Sequence, residues 1–199
     1  MEGATITPSA AAGTGSATVA DLLPRAVEAY RDRTAVMFKD GSGWVKQSFE
    51  EVGDSVRRLS LGLMDLGIEK GDKVSILANT RLEWTLFDFA ALTAGATVVP
   101  IYQTNSPEEC HYVLENSDAK AVIVEDDEQL AKVAAIRDRL PLLECVIQME
   151  GAGEGAMSMD DVLARGDRRE ASEWEERYSS VTPEDICTFI YTSGMVPEV

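Results

Sequence analysis

The sequence contains little of the residue types on which several common catalytic sites depend. Among 199 residues there is one histidine, His111, and there are three cysteines, Cys110, Cys145 and Cys187. A single histidine makes a multi-histidine zinc site and a histidine-based catalytic triad hard to assemble. The cysteines are odd in number and form no C-x-x-C pair, which favours reduced thiols and a cytoplasmic location. We expect His111 to lie at the surface or rim of a helix.

Basic residues are scarce as well. The chain has 18 lysines and arginines against 35 acidic residues, which gives a formal net charge of −17 at pH 7. Such a charge repels phosphate backbones and anionic head groups, so nucleic acid is not an expected partner. The acidic residues are spread along the chain and form no block, a pattern typical of a solvated surface.

No segment has the pattern of a secretory signal or a membrane anchor. Residues 1–18 lack an early positive charge and a continuous apolar run, so we predict a disordered tail there. Residues 84–102 are long and apolar enough to suggest a membrane span. However, Gly95 and Pro100 interrupt this stretch and its second half is β-branched, which indicates a buried helix followed by a buried strand.

The order of elements predicts an α/β fold with a mostly parallel sheet, flanking helices and a small hairpin in front. Asp40-Gly41 is a strong turn signal between two short strands, and Ser48 to Glu51 fits a capping box at a helix start. Apolar strands separated by helices then indicate parallel pairing with right-handed crossovers. The predicted strands are 35–38, 44–47, 73–78, 97–102, 121–125, 144–149 and 186–191, and the predicted helices are 18–30, 48–66, 82–94, 106–116, 128–140, 158–164 and 170–178.

Residues 151–156, GAGEGA, formally fit the G-x-G-x-x-A pattern between a strand and a helix, the context of a dinucleotide fingerprint. Glu154 would bring a carboxylate toward the pyrophosphate, and the preceding strand is not the first of the sheet. We therefore interpret the segment as a flexible loop of small residues. A small nucleotide-binding protein that uses this loop remains an alternative.

The sequence Tyr191-Thr-Ser-Gly194 follows the last apolar run. Backbone amides and hydroxyls in a glycine-containing loop that leaves a strand can hold phosphate oxygens. Taken alone, this short motif is more often an ordinary turn, and the chain contains no G-x-x-x-x-G-K-[ST] loop. Thr192, Ser193 and Gly194 are the candidate ligand-binding residues.

The chain as a whole gives this motif a context. From about Asp21 to Gly194 it resembles the N-terminal part of the large domain of the adenylate-forming, or AMP-binding, enzymes, and among them the long-chain fatty acyl-CoA synthetases. The segments that carry the resemblance are RTAV (33–36), GIEKGDKV (67–74), NTRLEW (79–84), VPIYQT (99–104), ENSDAK (115–120) and DICTFIYTSG (185–194).

In that family a carboxylic acid attacks the α-phosphate of Mg-ATP, and coenzyme A then displaces AMP to give a thioester. The resemblance therefore implies a fatty acid substrate, with ATP, Mg²⁺ and coenzyme A as cofactors of the parent enzymes. The family's phosphate loop begins Tyr-Thr-Ser-Gly, so Thr192, Ser193 and Gly194 are implied to contact the β- and γ-phosphates. Met195-Val-Pro197 departs from the threonine, threonine and glycine that follow in the family.

This departure leads us to expect a truncated domain over residues 19–199, produced by a frame change or a premature stop. Such a fragment would contribute no catalytic or metal-binding residue, would bind no cofactor tightly and would not act as a ligase alone. The alternative is a non-catalytic interaction module, in which an exposed apolar face binds a full-length paralogue or an acyl ligand.

Overall fold

The computed structural model describes residues 15–41 and 43–192, and its architecture is the predicted α/β type. The first helix, α1 (Leu22–Tyr30), precedes an antiparallel hairpin of β1 (Thr34–Asp40) and β2 (Gly43–Ser48), which forms a sheet of its own. Residues 1–14 of the predicted tail lie outside the described part. Thr18 lies inside it, and its amide donates to the Asp21 carboxylate at 3.0 Å.

A parallel sheet forms the centre of the described chain. The remaining elements are α2 (Phe49–Asp65), β3 (Lys73–Leu77), α3 (Leu82–Thr93), β4 (Thr97–Ile101), α4 (Pro107–Asn116), β5 (Ala119–Val124), α5 (Asp127–Ala134), β6 (Cys145–Gln148), β7 (Met157–Ser158), α6 (Met159–Gly166) and α7 (Ala171–Ser179). Within the described residues, five strands pair in the order β4-β3-β5-β6-β7, and each is parallel to its neighbours. The predicted fold class is therefore confirmed.

Both faces of this sheet are buried. Successive strand residues point to opposite sides, so each strand contributes apolar side chains to both faces. Ile76 and Ile123 belong to a first apolar cluster, which they share with α2, α3 and α6. Leu77 and Val122 belong to a second cluster, which they share with α4 and α5. The near-continuous apolar runs that predicted these strands arise from this two-sided burial.

Capping boxes start the helices at the predicted serines. The Glu51 amide donates to Ser48 Oγ at 3.2 Å, and the Ser48 amide donates back to the Glu51 carboxylate at 2.8 Å. Ser106 and Glu109 form the same reciprocal pair at the start of α4. Each box satisfies two amides that the first helical turn would leave without partners.

Helices α2 and α6 approach each other backbone to backbone, because a glycine lies at each side of the contact. A Cβ atom added to Gly166 would lie 1.9 Å from the carbonyl oxygen of Arg58, and one added to Gly62 would lie 2.2 Å from that of Val162. Beside this contact the Arg58 guanidinium donates twice to the Asp167 carboxylate, at 2.6 Å each. Only glycine fits at these two positions.

The prediction of a last strand over residues 186–191 is wrong. Within the described residues its backbone forms a single parallel bridge, in which Thr188 pairs with Val98 of β4. The Val98 amide donates to the Cys187 carbonyl at 2.9 Å, and the Phe189 amide donates to the Val98 carbonyl at 3.0 Å. The next rung of a parallel ladder would need the amide of Pro100, and proline has none. Pro100 therefore ends the pairing after one rung.

Other elements also differ from the prediction. The first helix, expected over residues 18–30, begins at Leu22. The helix expected over residues 128–140 is α5, which ends at Ala134, and it is followed by a 3₁₀ turn at Arg137–Arg139. Leu140 precedes Pro141, which restricts the backbone and disfavours a helix at that point. Strand β7 was not predicted, because its two residues are too few to show a period.

The stretch 84–102 forms a buried helix and a buried strand, α3 and β4, as predicted. Within the part of the chain that the structure describes, no helix has the length and apolar character needed to cross a bilayer.

The cysteines are free, with Cys110 buried and Cys187 exposed. His111 lies on α4 with 15% of its side chain exposed, which agrees with a rim position.

Candidate functional site

A cleft of about 610 Å³ opens at the carboxyl ends of β3 and β4. In open parallel sheets, ligands bind outside the carboxyl ends of the strands. The chain leaving β3, the chain leaving β4, helix α3 and residues 186–192, which we call the terminal segment, all contribute to this cleft. The lining residues are Ala78, Asn79, Thr80, Trp84, Pro100, Ile101, Tyr102, Gln103, Ile190 and Tyr191.

The lining combines aromatic rings with uncharged hydrogen-bonding groups. Trp84, Tyr102 and Tyr191 supply the rings, whereas Asn79 and Gln103 supply amides. Among the described residues no charged side chain lines the cleft. The cleft can therefore stack a flat group or cover an apolar one, and it offers directed hydrogen bonds without a formal charge.

Tyr191 anchors the end of the terminal segment to α4. Its hydroxyl donates to Asn116 Oδ1 at 2.7 Å, and its ring meets that of Tyr112 edge to face at 6.1 Å between centroids. Burial, with the nearby Tyr112, raises the pKa of Tyr191 above its usual value, so the hydroxyl keeps its proton and remains a donor.

The structure places only one of the three candidate residues. Thr192 follows Tyr191 and is exposed at the carboxyl edge of the sheet. Ser193 and Gly194 lie outside the described residues. The phosphate contacts implied by the motif thus stay a prediction, with the first residue placed next to the cleft.

A network of charged side chains holds the loop after β3, which forms one wall of the cleft. The backbone and side-chain amides of Asn79 donate to the Glu125 carboxylate at 2.7 and 2.8 Å. Arg81 donates to the carboxylates of Glu83, Glu125 and Glu150. Burial raises the pKa of Glu125, but the hydrogen bonds from Asn79 and Arg81 outweigh it and hold the pKa below its usual value. The network ties the loop after β3 to the ends of β5 and β6.

Sequence reasoning did not identify these residues as part of a site. Arg81 lies 44 residues from Glu125 and 69 residues from Glu150 along the chain. The available signal was positional, since Asn79 comes directly after one predicted parallel strand (73–78) and Tyr102 is the last residue of the next (97–102). The rule that ligands bind at the carboxyl ends of such strands would have selected both.

The glycine-rich loop 151–156 is explained by internal packing. The Gly153 amide donates to Gln148 Oε1 at 2.8 Å, so this amide already has a partner inside the protein. A Cβ atom at Gly153 would lie 2.3 Å from the Leu130 side chain. The loop leads into β7 before α6 begins. These contacts favour the structural interpretation over a pyrophosphate-binding loop.

Asp88 is a half-buried carboxyl on α3, one turn after Trp84 in the cleft wall. No hydrogen bond or ion pair joins it to another residue of the described ranges. Burial raises the pKa of Asp88 from 3.8 to about 6. Since the folded state binds this proton more tightly than the unfolded chain, the contribution of Asp88 to stability is present below about pH 4 and is lost as the pH rises through 6.

We therefore expect Asp88→Asn to stabilise the protein at pH 7.5 and to have little effect at pH 4. A pKa shift of about two units, discounted for partial exposure, corresponds to roughly 1–2 kcal/mol at pH 7.5. Urea unfolding at the two pH values measures this difference, with Asp32→Asn at an exposed position as the control. An equal effect of Asp88→Asn at both pH values would contradict this account of the buried carboxyl.

Comparison with known proteins matches nearly the whole chain to one enzyme family. A family model described as "AMP-binding enzyme" matches residues 23–195. The long-chain-fatty-acid–CoA ligase ACSBG2 of Xenopus laevis is 34% identical over 181 residues, which are 89% of this chain and 24% of that protein. The long-chain-fatty-acid–CoA ligase FadD15 of Mycobacterium bovis is 36% identical over 151 residues, which are 76% of this chain and 25% of that protein.

A solved structure extends the likeness to three dimensions. The crystal structure of the anthranilate CoA ligase AuaEII in complex with anthranoyl-AMP superimposes with a TM-score of 0.72 and 27% sequence identity. The match covers 88% of this chain and 32% of that chain. The chain thus spans about a quarter of the length of the curated relatives and about a third of this structure.

Proposed function

The chain belongs to the AMP-binding enzyme family, and on that premise we propose that it supplies the N-terminal part of an ATP-dependent long-chain fatty acid:CoA ligase. The observation that supports this most is the uninterrupted family match through residue 195, which includes the terminal segment at the cleft. The names of the curated relatives support a fatty acid as the substrate and coenzyme A as the acyl acceptor. The free thiols of the cysteines support a cytoplasmic location.

The proposed reaction has two steps. The fatty carboxylate attacks the α-phosphate of ATP, so that an acyl–phosphate bond forms and pyrophosphate leaves with the electron pair of the broken bond. The thiol of coenzyme A then attacks the acyl carbon, loses its proton and displaces AMP. In the first step the hydroxyl of Thr192, with Ser193 and the backbone at Gly194, would donate hydrogen bonds to the β- and γ-phosphate oxygens.

The lining of the cleft limits what residues 1–199 can do alone. It offers hydroxyls, amides and rings to a triphosphate, and a triphosphate in a sheltered site also needs compensating positive charge. Magnesium would supply part of that charge when it is bound with ATP, and we assign it no ligand among the described residues. We therefore propose that residues 1–199 by themselves bind no cofactor tightly and form no acyl-CoA.

The experiment is a chimera with the Mycobacterium bovis relative, FadD15. Residues 15–194 of this chain replace the corresponding N-terminal segment of that protein, to which 151 residues of this chain align. The chimera is tested for fatty-acid-dependent exchange of pyrophosphate into ATP. We expect exchange and acyl-CoA formation in the chimera, and neither in the 199-residue chain. A chimera that folds, as judged by circular dichroism, but shows no exchange would contradict the proposed function.

A second candidate is the interaction module, and one observation favours it. Tyr102, Ile186 and Ile190 surround the β4 edge and are 69%, 57% and 66% exposed. Apolar side chains concentrated at a strand edge that is covered by one backbone rung favour association with another protein, for which a full-length paralogue is a candidate. A monodisperse monomer in size exclusion, unchanged by an added full-length ligase, would argue against this candidate.

A further inference from the structure

We propose that Tyr191 is a positioning residue that fixes, through Asn116 and Tyr112 on α4, the point at which the chain leaves the sheet at Thr192. The proposal rests on the proposed function of Thr192 as a phosphate-binding residue. It concerns a contact that no part of the Tyr-Thr-Ser-Gly motif reveals, because Asn116 lies 75 residues away in sequence.

The sheet alone does not hold the end of the terminal segment. Its one backbone rung is at Thr188, and Pro100 prevents the next one. Side chains add two further bonds at the same level, from Thr97 Oγ1 to the Ile186 carbonyl at 2.8 Å and from Thr188 Oγ1 to the Val98 carbonyl at 2.9 Å. Beyond Thr188 the direction of the chain must be set by something other than the sheet.

The side chains of the segment show where that support comes from. Phe189 and Tyr191 pack against the second apolar cluster, whereas Ile190 between them is 66% exposed. This alternation is typical of extended backbone. An extended segment with a ring anchored on one side every second residue has a fixed direction even without a ladder.

Helix α4 is a firm support for this anchor. Cys110, Val113 and Leu114 are buried in the second cluster, and a capping box fixes the start of the helix. At its other end, Ser117 Oγ donates to the Val113 carbonyl at 2.7 Å. The Asn116 side chain is therefore held by a well-packed helix when it accepts the hydrogen bond from the Tyr191 hydroxyl.

The deciding experiment measures hydrogen–deuterium exchange in the 199-residue chain. Tyr191→Phe keeps the ring and removes only the hydroxyl. Loss of one neutral hydrogen bond should raise the equilibrium constant for local opening of the segment roughly threefold to tenfold. We expect deuterium uptake over residues 186–192 to accelerate by that factor in Tyr191→Phe and in Asn116→Ala. Because both changes break one bond, the double variant should exchange no faster than either single variant.

The matched control is Tyr102→Phe, which removes the hydroxyl of an exposed tyrosine in the same cleft. It should leave deuterium uptake over residues 186–192 unchanged. Unchanged uptake in Tyr191→Phe, or additive effects in the double variant, would overturn the proposal that this hydrogen bond fixes the segment.

The chimera described above separates a positioning role from a merely structural one. Tyr191→Phe should raise the KM for ATP in the pyrophosphate-forming step by a similar factor, and coenzyme A should react with added acyl-adenylate at the unchanged rate. Equal slowing of both steps would indicate a general loss of structure and overturn the proposal. If Thr192→Ala leaves the first step unaffected, the proposed function of Thr192 fails, while the deuterium uptake still decides whether Tyr191 holds the segment.

Discussion

Replacing Thr192 with alanine is expected to slow fatty-acid-dependent pyrophosphate exchange in the chimera about tenfold to a hundredfold. A hydrogen bond to a charged group contributes roughly 1.5–3 kcal/mol, and each 1.4 kcal/mol is a factor of about ten. Thr192 is exposed and directly follows the anchored Tyr191, and the proposal is that its hydroxyl reaches a ligand at the cleft.

Two controls make this prediction specific. Thr192→Ser keeps the hydroxyl and should retain most of the exchange activity. The displacement of AMP by coenzyme A from added acyl-adenylate involves no pyrophosphate, so Thr192→Ala should leave its rate unchanged. Full exchange activity in Thr192→Ala would contradict the assignment of Thr192 to the phosphate loop.

Replacing Gly166 with alanine is expected to destabilise the fold by at least about 3 kcal/mol, the upper end of the usual overpacking cost. The added Cβ would lie 1.9 Å from the Arg58 carbonyl oxygen, and that oxygen belongs to the backbone of α2. Helices α2 and α6 would have to separate, which would also strain the Arg58 to Asp167 ion pair. Urea unfolding measures the loss as a lower midpoint with an unchanged slope.

Gly41→Ala is the matched control, because a Cβ atom there would meet nothing within 4 Å. Its effect should stay within about 0.5 kcal/mol, as at other open surface positions. Gly62→Ala, on the opposite side of the same helix contact, should resemble Gly166→Ala. A loss below 1 kcal/mol in Gly166→Ala would show that the two helices can move apart easily.

Features of the fold that depend on local chemistry were predictable from the sequence. The capping boxes at Ser48 and Ser106 involve residues three apart, so the pattern and the contact coincide. A full strand was predicted over residues 186–191 because apolar residues alternate there. The feature that stops the pairing, Pro100, lies in the partner strand β4. A proline in the partner strand can be weighed only when the pairing is known.

Less of the candidate site could be predicted, because most of it depends on contacts between distant residues. The motif placed Thr192 at the end of a strand-like run, and the structure places it at the carboxyl edge of the sheet. The support from Asn116 and the Arg81 network joins segments 44 to 75 residues apart. No local period encodes such contacts, since they follow from the strand order β4-β3-β5-β6.

The most direct test of the account is the initial rate of fatty-acid-dependent pyrophosphate exchange into ATP by the chimera that carries residues 15–194. The account predicts exchange that requires both the fatty acid and ATP and that falls at least tenfold in Thr192→Ala. A folded chimera without exchange, or one whose exchange is indifferent to Thr192→Ala, would contradict the claim that these residues form the beginning of an acid-activating site.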